Sequence, residues 1–359
     1  GLFALLRADG VLMARILYGV HGTGHGHAIR ALAVARHYPQ HEFLMVSHGD
    51  GAELLRPHFP LHECRNPATP VAAHRVQGWA ALGDAACQLA RGPAVLRRLR
   101  QAGEAFAPDA VITDYELFTP LVARALRLPS LSLDNQHALV FGRVPFPLTQ
   151  WVTRIFTLLS VRLLFSQADE YLVSCFYPRS GRASRRVQWV PPLLRDAVLA
   201  QTPTDGDHVI AYQGYSTFPG FVDTLRTLSR PVHVYGLGER PAAGNLVFKT
   251  FSETSFLADL AGCACVVCGG GHTLISEALH LGKPVFSIPI RGAFEQFVNA
   301  YELARAGYGA WTTASGFSPA RLAAFERELD LYRAHLAGAV FNGNPAVFAA
   351  LDRFIVKRR

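Results

Sequence analysis

The stretch Cys268-Gly269-Gly270-Gly271-His272-Thr273-Leu274-Ile275-Ser276-Glu277 decides the fold, together with Gly282-Lys283-Pro284 and Glu295-Gln296-Phe297-Val298-Asn299-Ala300. It reads as an apolar strand, a glycine turn and a helix start, then a second strand and a second helix. Units of this kind build a parallel sheet covered by helices. A glycine turn at a helix N-terminus offers unpaired backbone N–H groups and the positive end of the helix dipole, which suits a phosphate. Glu277 falls one to two turns into the helix, within reach of a sugar hydroxyl beside that phosphate. Glu295 and Gln296 open the next helix and supply a second set of hydroxyl partners. Phosphate and hydroxyl partners side by side are the chemistry of a nucleotide-sugar site.

Working outward, the 359 residues exceed one ordinary core and suit two domains. Half the residues are apolar and 17% are charged, which describes a well-buried globular chain. No apolar run reaches the length of a membrane span. Residues 1–12 are broken by Arg7 and Asp9 and make a poor signal peptide; Met13, before the first strand, reads as the natural start. The six cysteines form no disulfide framework and no paired zinc spacing, so reduced cysteines in a cytosolic core are expected. Alternation places Cys263 and Cys265 on one strand face and Cys268 on the other. The net charge of +8 fits nucleic acid, an anionic membrane or a phosphorylated substrate. Nucleic-acid motifs are absent, which leaves the last two. Lys357-Arg358-Arg359 reads as a solvated tail.

Strands are expected at Arg15–Val20, Glu42–Ser47, Ala110–Thr113, Pro129–Leu133, Tyr171–Ser174 and Val187–Val190, with a long helix over Asp84–Ala107. Pro191-Pro192 and the polar run 201–207 mark a linker. A second series follows at Val209–Ala211, Val232–Tyr235, Leu246–Phe248, Cys263–Cys268 and Val285–Ile288. The fold class is α/β, with two doubly wound domains, 13–195 and 205–340, facing a crevice at the carboxyl ends of their strands. Trp151–Phe165 reads either as an amphipathic patch for a membrane or lipid acceptor, or as a buried helix whose Arg154 and Arg162 snorkel.

The first strand runs into Gly22-Thr23-Gly24-His25-Gly26-His27. Its G-x-G-x-G spacing misses the dinucleotide fingerprint, and the second strand ends Ser47-His48 without the acidic ribose partner. A neutral His27 at the helix start is suited to take a proton from an acceptor hydroxyl, and Asp114 at a strand end of the same sheet to orient its ring. His25 and His21 remain rivals for the base. Gly270 and Gly271, with the helix start at His272 and Thr273, should meet the pyrophosphate, and Gly214 adds a weaker phosphate contact.

These residues resemble inverting GT-B glycosyltransferases, especially the lipid-intermediate N-acetylglucosaminyltransferase of peptidoglycan synthesis and the UDP-glycosyltransferases. The chain looks closest to a less characterised bacterial and archaeal branch. Gly26-His27 matches the family's Gly-His base motif, with Arg30 where proline is frequent. Gly24, His25, Gly26 and Arg30 then form an acceptor or phosphate loop. The resemblance implies a base at His27 oriented by Asp114 and a ribose contact by Glu277 of Ser276-Glu277. It also implies donor-sugar contacts by Glu295-Gln296 and a uracil contact by Phe251-Ser252. The expected activity is inverting, metal-independent transfer of a hexosyl or N-acetylhexosaminyl group from a UDP-sugar to an acceptor hydroxyl, with no cofactor. The expected acceptor is lipid-linked or a cell-envelope glycan, met in the cytoplasm with peripheral contact to the inner membrane face. The family's last helix returns to the first domain, a role that fits Pro345–Val356 within 345–359. A nucleotide-sugar 2-epimerase of the same fold is the alternative. A non-catalytic nucleotide-sugar-binding protein is the alternative from another class.

Overall fold

The computed structural model describes residues 13–67, 69–144, 147–177, 184–214 and 218–356. The readings of residues 1–12 and 357–359 lie outside the described residues. The strands of the first half are β1 (Arg15–Val20), β2 (Glu42–Ser47), β3 (Leu61–Glu63), β4 (Val71–Ala72), β5 (Arg75–Val76), β6 (Ala110–Asp114), β7 (Ser130–Asp134), β8 (Glu170–Ser174) and β9 (Val187–Val190). Seven of them pair in parallel in the order β3-β2-β1-β6-β7-β8-β9, while β4 and β5 form a separate hairpin. The second half has β10 (Val209–Tyr212), β11 (Val232–Tyr235), β12 (Leu246–Lys249), β13 (Cys265–Cys268), β14 (Val285–Ser287) and β15 (Gly309–Trp311). They form a parallel sheet in the order β12-β11-β10-β13-β14-β15.

Both orders reverse direction beside their first strand, between β1 and β6 and between β10 and β13. A crevice opens at such switch points because the flanking loops leave to opposite faces. The register sets Val20 beside Asp114 and Tyr212 beside Cys268. The first-half switch point therefore carries the His21–His27 loop and Asp114. The second carries Gln213-Gly214 and the Gly269–Gly271 turn.

Each sheet buries both faces, which is why its central strands read as continuous apolar runs. Ile16, Tyr18 and Val20 join one core with Ala31 and Val34 of the first helix, and Leu17 points into another with Leu99 of the Gly78–Phe106 helix. Ile210 and Val266 face one core of the second half, Val209 and Val267 the other. The cysteine alternation fails at one residue. β13 starts at Cys265, whereas Cys263 ends the Glu253–Gly262 helix and donates its thiol to the Leu260 carbonyl at 3.3 Å. Cys263 thus shares a core with Cys268, opposite Cys265.

The last helix, Asn344–Val356, packs Val347, Leu351, Phe354 and Ile355 into the core of β1 and the first helix. Asn344 at its start clips the interdomain segment, accepting from Leu194 N and donating to Leu194 O, both at 2.8 Å. A second tie is the β4–β5 hairpin. Its turn residues Ala73 and His74 both take left-handed backbone (φ 48 and 57), which strains any residue but glycine. The turn is held from the other half. His74 N-ε2 meets the Ile288 carbonyl at 3.1 Å, Val76 N donates to Arg291 O at 2.9 Å, and Arg291 N donates to His74 O at 3.0 Å.

Among the described residues no helix is long and apolar enough to cross a membrane. Replacing the fully buried Phe354 with alanine removes a ring that joins the C-terminal helix to the first-half core. Denaturant unfolding should show a loss of about 3–5 kcal/mol. A loss below about 1 kcal/mol would mean that this helix is not part of that core.

Candidate functional site

His27 stands in the first turn of the Gly26–His37 helix, and its Nδ1 lies 2.7 Å from Asp114 Oδ1. Arg30, one turn on, donates from Nε to Asp114 Oδ2 at 2.6 Å and from Nη2 to Oδ1 at 2.7 Å. Asp114 is completely buried and Arg30 nearly so. Burial opposes the guanidinium charge, but Asp114 more than offsets it and holds Arg30 protonated. Arg30 was expected on the loop surface as an acceptor or phosphate ligand; its guanidinium instead lies behind the loop on Asp114. Of the rival bases, His25 is exposed. His21 is buried, with burial and the neighbouring His27 holding it neutral. Among the described residues only His27 of the three has a carboxylate partner. Tyr115 follows Asp114 with left-handed backbone (φ 53), and its ring lies parallel to that of His27, with centroids 6.2 Å apart.

The second half meets this dyad directly. The helix starts at Gly26 and at His272–Thr273 abut so closely that a Cβ on Gly26 would lie 2.7 Å from Thr273 Oγ1. His272 is buried, and burial first, then the charges of Arg30 and His27, lower it to about 3. A neutral His272 Nε2 without a partner, the unpartnered His21 Nδ1 and the unpartnered Gln136 Oε1 all belong to the segments that follow these strand ends. Buried polar atoms left unpaired in a native fold call for an explanation, and a ligand site is one.

Glu295, in the first turn of the Phe294–Arg305 helix, is held from the opposite sheet. Asn135 Nδ2 donates to its Oε1 at 2.9 Å and Gln136 Nε2 to its Oε2 at 3.1 Å. A carboxylate only accepts, so Glu295 fixes the Gln136 amide with its nitrogen inward. That nitrogen lies 3.4 Å from His27 Nε2. Asp114, His27, Gln136 and Glu295 therefore form one chain across the cleft. Gln296 accepts from Gly270 N at 3.4 Å and from Ile290 N at 3.1 Å, so in this structure it fixes the glycine turn. Asn299 secures the same turn by donating to Gly270 O at 2.9 Å. A side chain on Gly270 would collide with the Gln296 backbone, its Cβ 2.4 Å from the carbonyl oxygen.

Glu277 is buried, and both its oxygens accept from Arg195 of the interdomain segment, at 2.8 Å each. Desolvation raises its pKa and Arg195 works against that rise. Arg195 also donates to Glu253 at 2.6 Å, which draws in the helix start beside Phe251 and Ser252; Phe251 is exposed. Gly214 ends at the same rim and is exposed.

Asn135, Gln136, Asn299 and Arg195 were not singled out from sequence. The polar run Asp134-Asn135-Gln136-His137 after an apolar strand was a signal for the first pair. Arg195, remote in the chain from Glu277, gave none.

Among the described residues, one group has the spacing for a metal ion, namely His208, His233 and Asp259, where β10 and β11 meet the Glu253–Gly262 helix. Asp259 Oδ2 already accepts from Lys249 Nζ at 2.6 Å, from Tyr235 at 2.6 Å and from His233 at 2.8 Å. Lys249 supplies the cation there.

The sequence model described as glycosyl transferase family 1 matches residues 14–330. An uncharacterized glycosyltransferase of Methanosarcina mazei is 25% identical over 331 residues, covering 82% of this chain and 84% of that protein. The UDP-N-acetylglucosamine–N-acetylmuramyl-(pentapeptide) pyrophosphoryl-undecaprenol N-acetylglucosamine transferase of Methylobacterium nodulans is 28% identical, covering 86% of each. Among solved structures, Acinetobacter baumannii MurG aligns with a TM-score of 0.59 at 18% identity, over 95% of this chain and 99% of that one. The calicheamicin glycosyltransferase CalG4 aligns at 0.63 with 16% identity, over 97% and 99%. These likenesses carry the fold, two doubly wound domains in the GT-B arrangement. The family match over nearly the whole chain carries the rest: the protein belongs to glycosyl transferase family 1 and is a glycosyltransferase.

Proposed function

We propose that the enzyme transfers a hexosyl or N-acetylhexosaminyl group from a UDP-sugar to an acceptor hydroxyl, with inversion and without a metal. The observation that carries this reading is the Asp114–His27 pair in contact range of Glu295 through Gln136. It sets a base from one domain beside a sugar-binding carboxylate from the other.

In this reading the acceptor hydroxyl takes the place of the Gln136 amide at His27 Nε2. Its proton passes to Nε2 while its oxygen attacks the anomeric carbon, and the bond from that carbon to the phosphate oxygen breaks on the opposite face. The charge left on the diphosphate falls to the backbone N–H groups of Gly271, His272 and Thr273, with Gly214 nearby; the Gly270 N–H is taken by Gln296. Glu295 holds sugar hydroxyls. Glu277, one lone pair per oxygen used by Arg195, keeps the others for the ribose. Phe251-Ser252 meets the uracil. Thymidine diphosphate is present in a solved relative of the same fold, Streptomyces SsfS6, at a TM-score of 0.56, which supports a nucleoside diphosphate in the donor domain.

The acceptor we propose is lipid-linked and reached at a membrane face. The Trp151–Ser160 helix buries none of its residues; Trp151, Ile155 and Phe156 stand exposed on it, with Leu148 and Leu163 exposed to either side. At its root a cavity of about 360 Å³ is lined by Leu139, Gly142, Arg143, Val144, Arg154 and Phe294, the last adjacent to Glu295. Apolar area with flanking arginines binds an anionic interface. The name of the Methylobacterium relative, an undecaprenol-linked transferase, supports the same class.

Calorimetry with a panel of UDP-sugars should show one selective ligand, with binding weakened at least tenfold in Glu277→Gln. Binding by none of them would sink the donor assignment. His27→Ala should keep donor binding and lower transfer by roughly 10²–10⁴-fold. An unchanged rate would remove His27 as base. Conversion of the UDP-sugar to its C2 epimer without acceptor would point to the epimerase reading, and binding without turnover to the silent one. Cosedimentation with vesicles rich in anionic phospholipid should fall sharply when Trp151 and Phe156 are both replaced by serine, and equal binding would dismiss the membrane face.

A further inference from the structure

We propose that Arg30 is a positioning residue for the proton transfer. By pairing with both oxygens of Asp114 it keeps that carboxylate ionised and assigns the shared proton to His27 Nδ1, leaving His27 Nε2 as the atom that receives the acceptor's proton. The inference rests on the transfer reading and adds to it a residue whose sequence position suggested a different task.

The 2.7 Å contact between His27 Nδ1 and Asp114 Oδ1 holds one proton. Were it on Asp114, the neutral acid would leave the Arg30 charge almost fully buried with no counter-ion, a costly arrangement. The two short hydrogen bonds from Nε and Nη2 are the fork geometry of a guanidinium on an ionised carboxylate. The proton therefore belongs to His27 Nδ1, and Nε2 carries the lone pair. The Gln136 amide nitrogen, 3.4 Å away, is a donor aimed at that lone pair, which agrees.

Arg30 does a second thing. Its Nη2 lies 3.2 Å from His27 Nδ1; a guanidinium only donates, so with the proton on Nδ1 this approach is a repulsive contact and not a hydrogen bond. A doubly protonated ring would place two cations on one carboxylate at this distance. Arg30 thus opposes protonation of the resting ring by solvent, while Asp114 still receives the imidazolium formed when the acceptor yields its proton. The step balances: the acceptor O–H bond breaks toward Nε2, the new C–O bond forms, and the diphosphate leaves with its electron pair.

The other groups facing the pair do not replace Arg30. His21, with its ring 5.3 Å from that of His27, and His272 across the cleft are both held neutral by burial. Tyr115 lies parallel to the His27 ring, and Tyr18 and Asp134 lie on the Arg30 side. Glu295 reaches His27 only through Gln136.

The test uses Arg30→Met and Arg30→Lys in the full chain, with two readouts. The first is the pH dependence of kcat/KM for transfer, with donor affinity measured alongside. Arg30→Met should move the acid limb to higher pH by about one unit, a roughly tenfold loss on that limb, with donor affinity unchanged. Arg30→Lys keeps the charge without the fork and should move it less. The second readout is nitrogen NMR of the histidine rings, with the His27 signal assigned by its loss in His27→Gln. In the unsubstituted protein the neutral ring should carry its proton on Nδ1, and in Arg30→Met the titration midpoint should rise with the limb. If Arg30→Met does not fold, Arg30→Lys carries both arms. A pH-independent loss with an unmoved His27 midpoint would make Arg30 a structural residue only and overturn the proposal. The NMR arm needs neither donor nor acceptor. An inactive wild type would therefore count against the transfer reading, and Arg30 would still stand or fall on the His27 titration.

Discussion

A carboxylate removed from water must be met by a cation or by several hydrogen-bond donors, and around this cleft stand four buried carboxylates and the half-buried Glu295. Asp114 is met by Arg30 and His27, Asp134 by His137 and Ser132, and Glu116 by Phe118 N, Thr119 N and Thr119 Oγ1. Glu277 is met by Arg195, and Glu295 by Asn135 and Gln136. Each requirement locks a loop. Asp114 ties the first helix to β6, Glu277 ties the interdomain segment to the glycine-turn helix, and Glu295 ties one domain to the other. Buried pairs of this kind add little net stability over an apolar alternative, because desolvation offsets attraction. What they add is geometry: once a fork and a carboxylate are in place, neither side chain has another low-energy position.

Catalysis by proton transfer and by oriented donors depends on that geometry. A base is useful when its ring orientation and tautomer are fixed before substrate arrives; Asp114 orients the His27 ring, and Arg30 holds Asp114. A diphosphate is stabilised by backbone N–H groups only if the turn holding them does not relax. Gln296 and Asn299 hold it, with Gly270 allowing the helix behind to approach. Among the described residues, the seams joining the two halves of the machinery include Gly26 on Thr273, Asn135 and Gln136 on Glu295, and the β4–β5 hairpin on Arg291. A sugar hydroxyl binding Glu295 competes with Asn135 and Gln136 for the same oxygens. In the proposed reading, donor binding and the freeing of His27 Nε2 are therefore coupled through one side chain.

Much of this was legible in the chain. The apolar runs ending in Asp114, Cys268 and Ser47 gave the central strands because each is buried on both faces. Glycine turns before helices marked the two switch points, since only a short turn feeds a parallel strand into its crossover. The hairpin at Val71–Val76 was not legible: its turn is Ala73-His74, without glycine or asparagine, and its left-handed backbone is held by contacts from the far domain. The edge strands β3 and β15 span only Leu61–Glu63 and Gly309–Trp311, too short for a periodic signal. The Cys263 face was misplaced because alternation was extended back past the true strand start.

The sequence by itself determined the two parallel sheets and the glycine turns, because local backbone preference and burial on both faces act along the chain. It did not determine which partner each charged side chain takes. Arg30 lay in a loop motif and went to Asp114, 84 positions away; Arg195 lay in a linker and went to Glu277, 82 positions away. Those pairings depend on which loops the two switch points bring together, and on the cost of leaving any one charge dry and alone. Only the tertiary structure sets both.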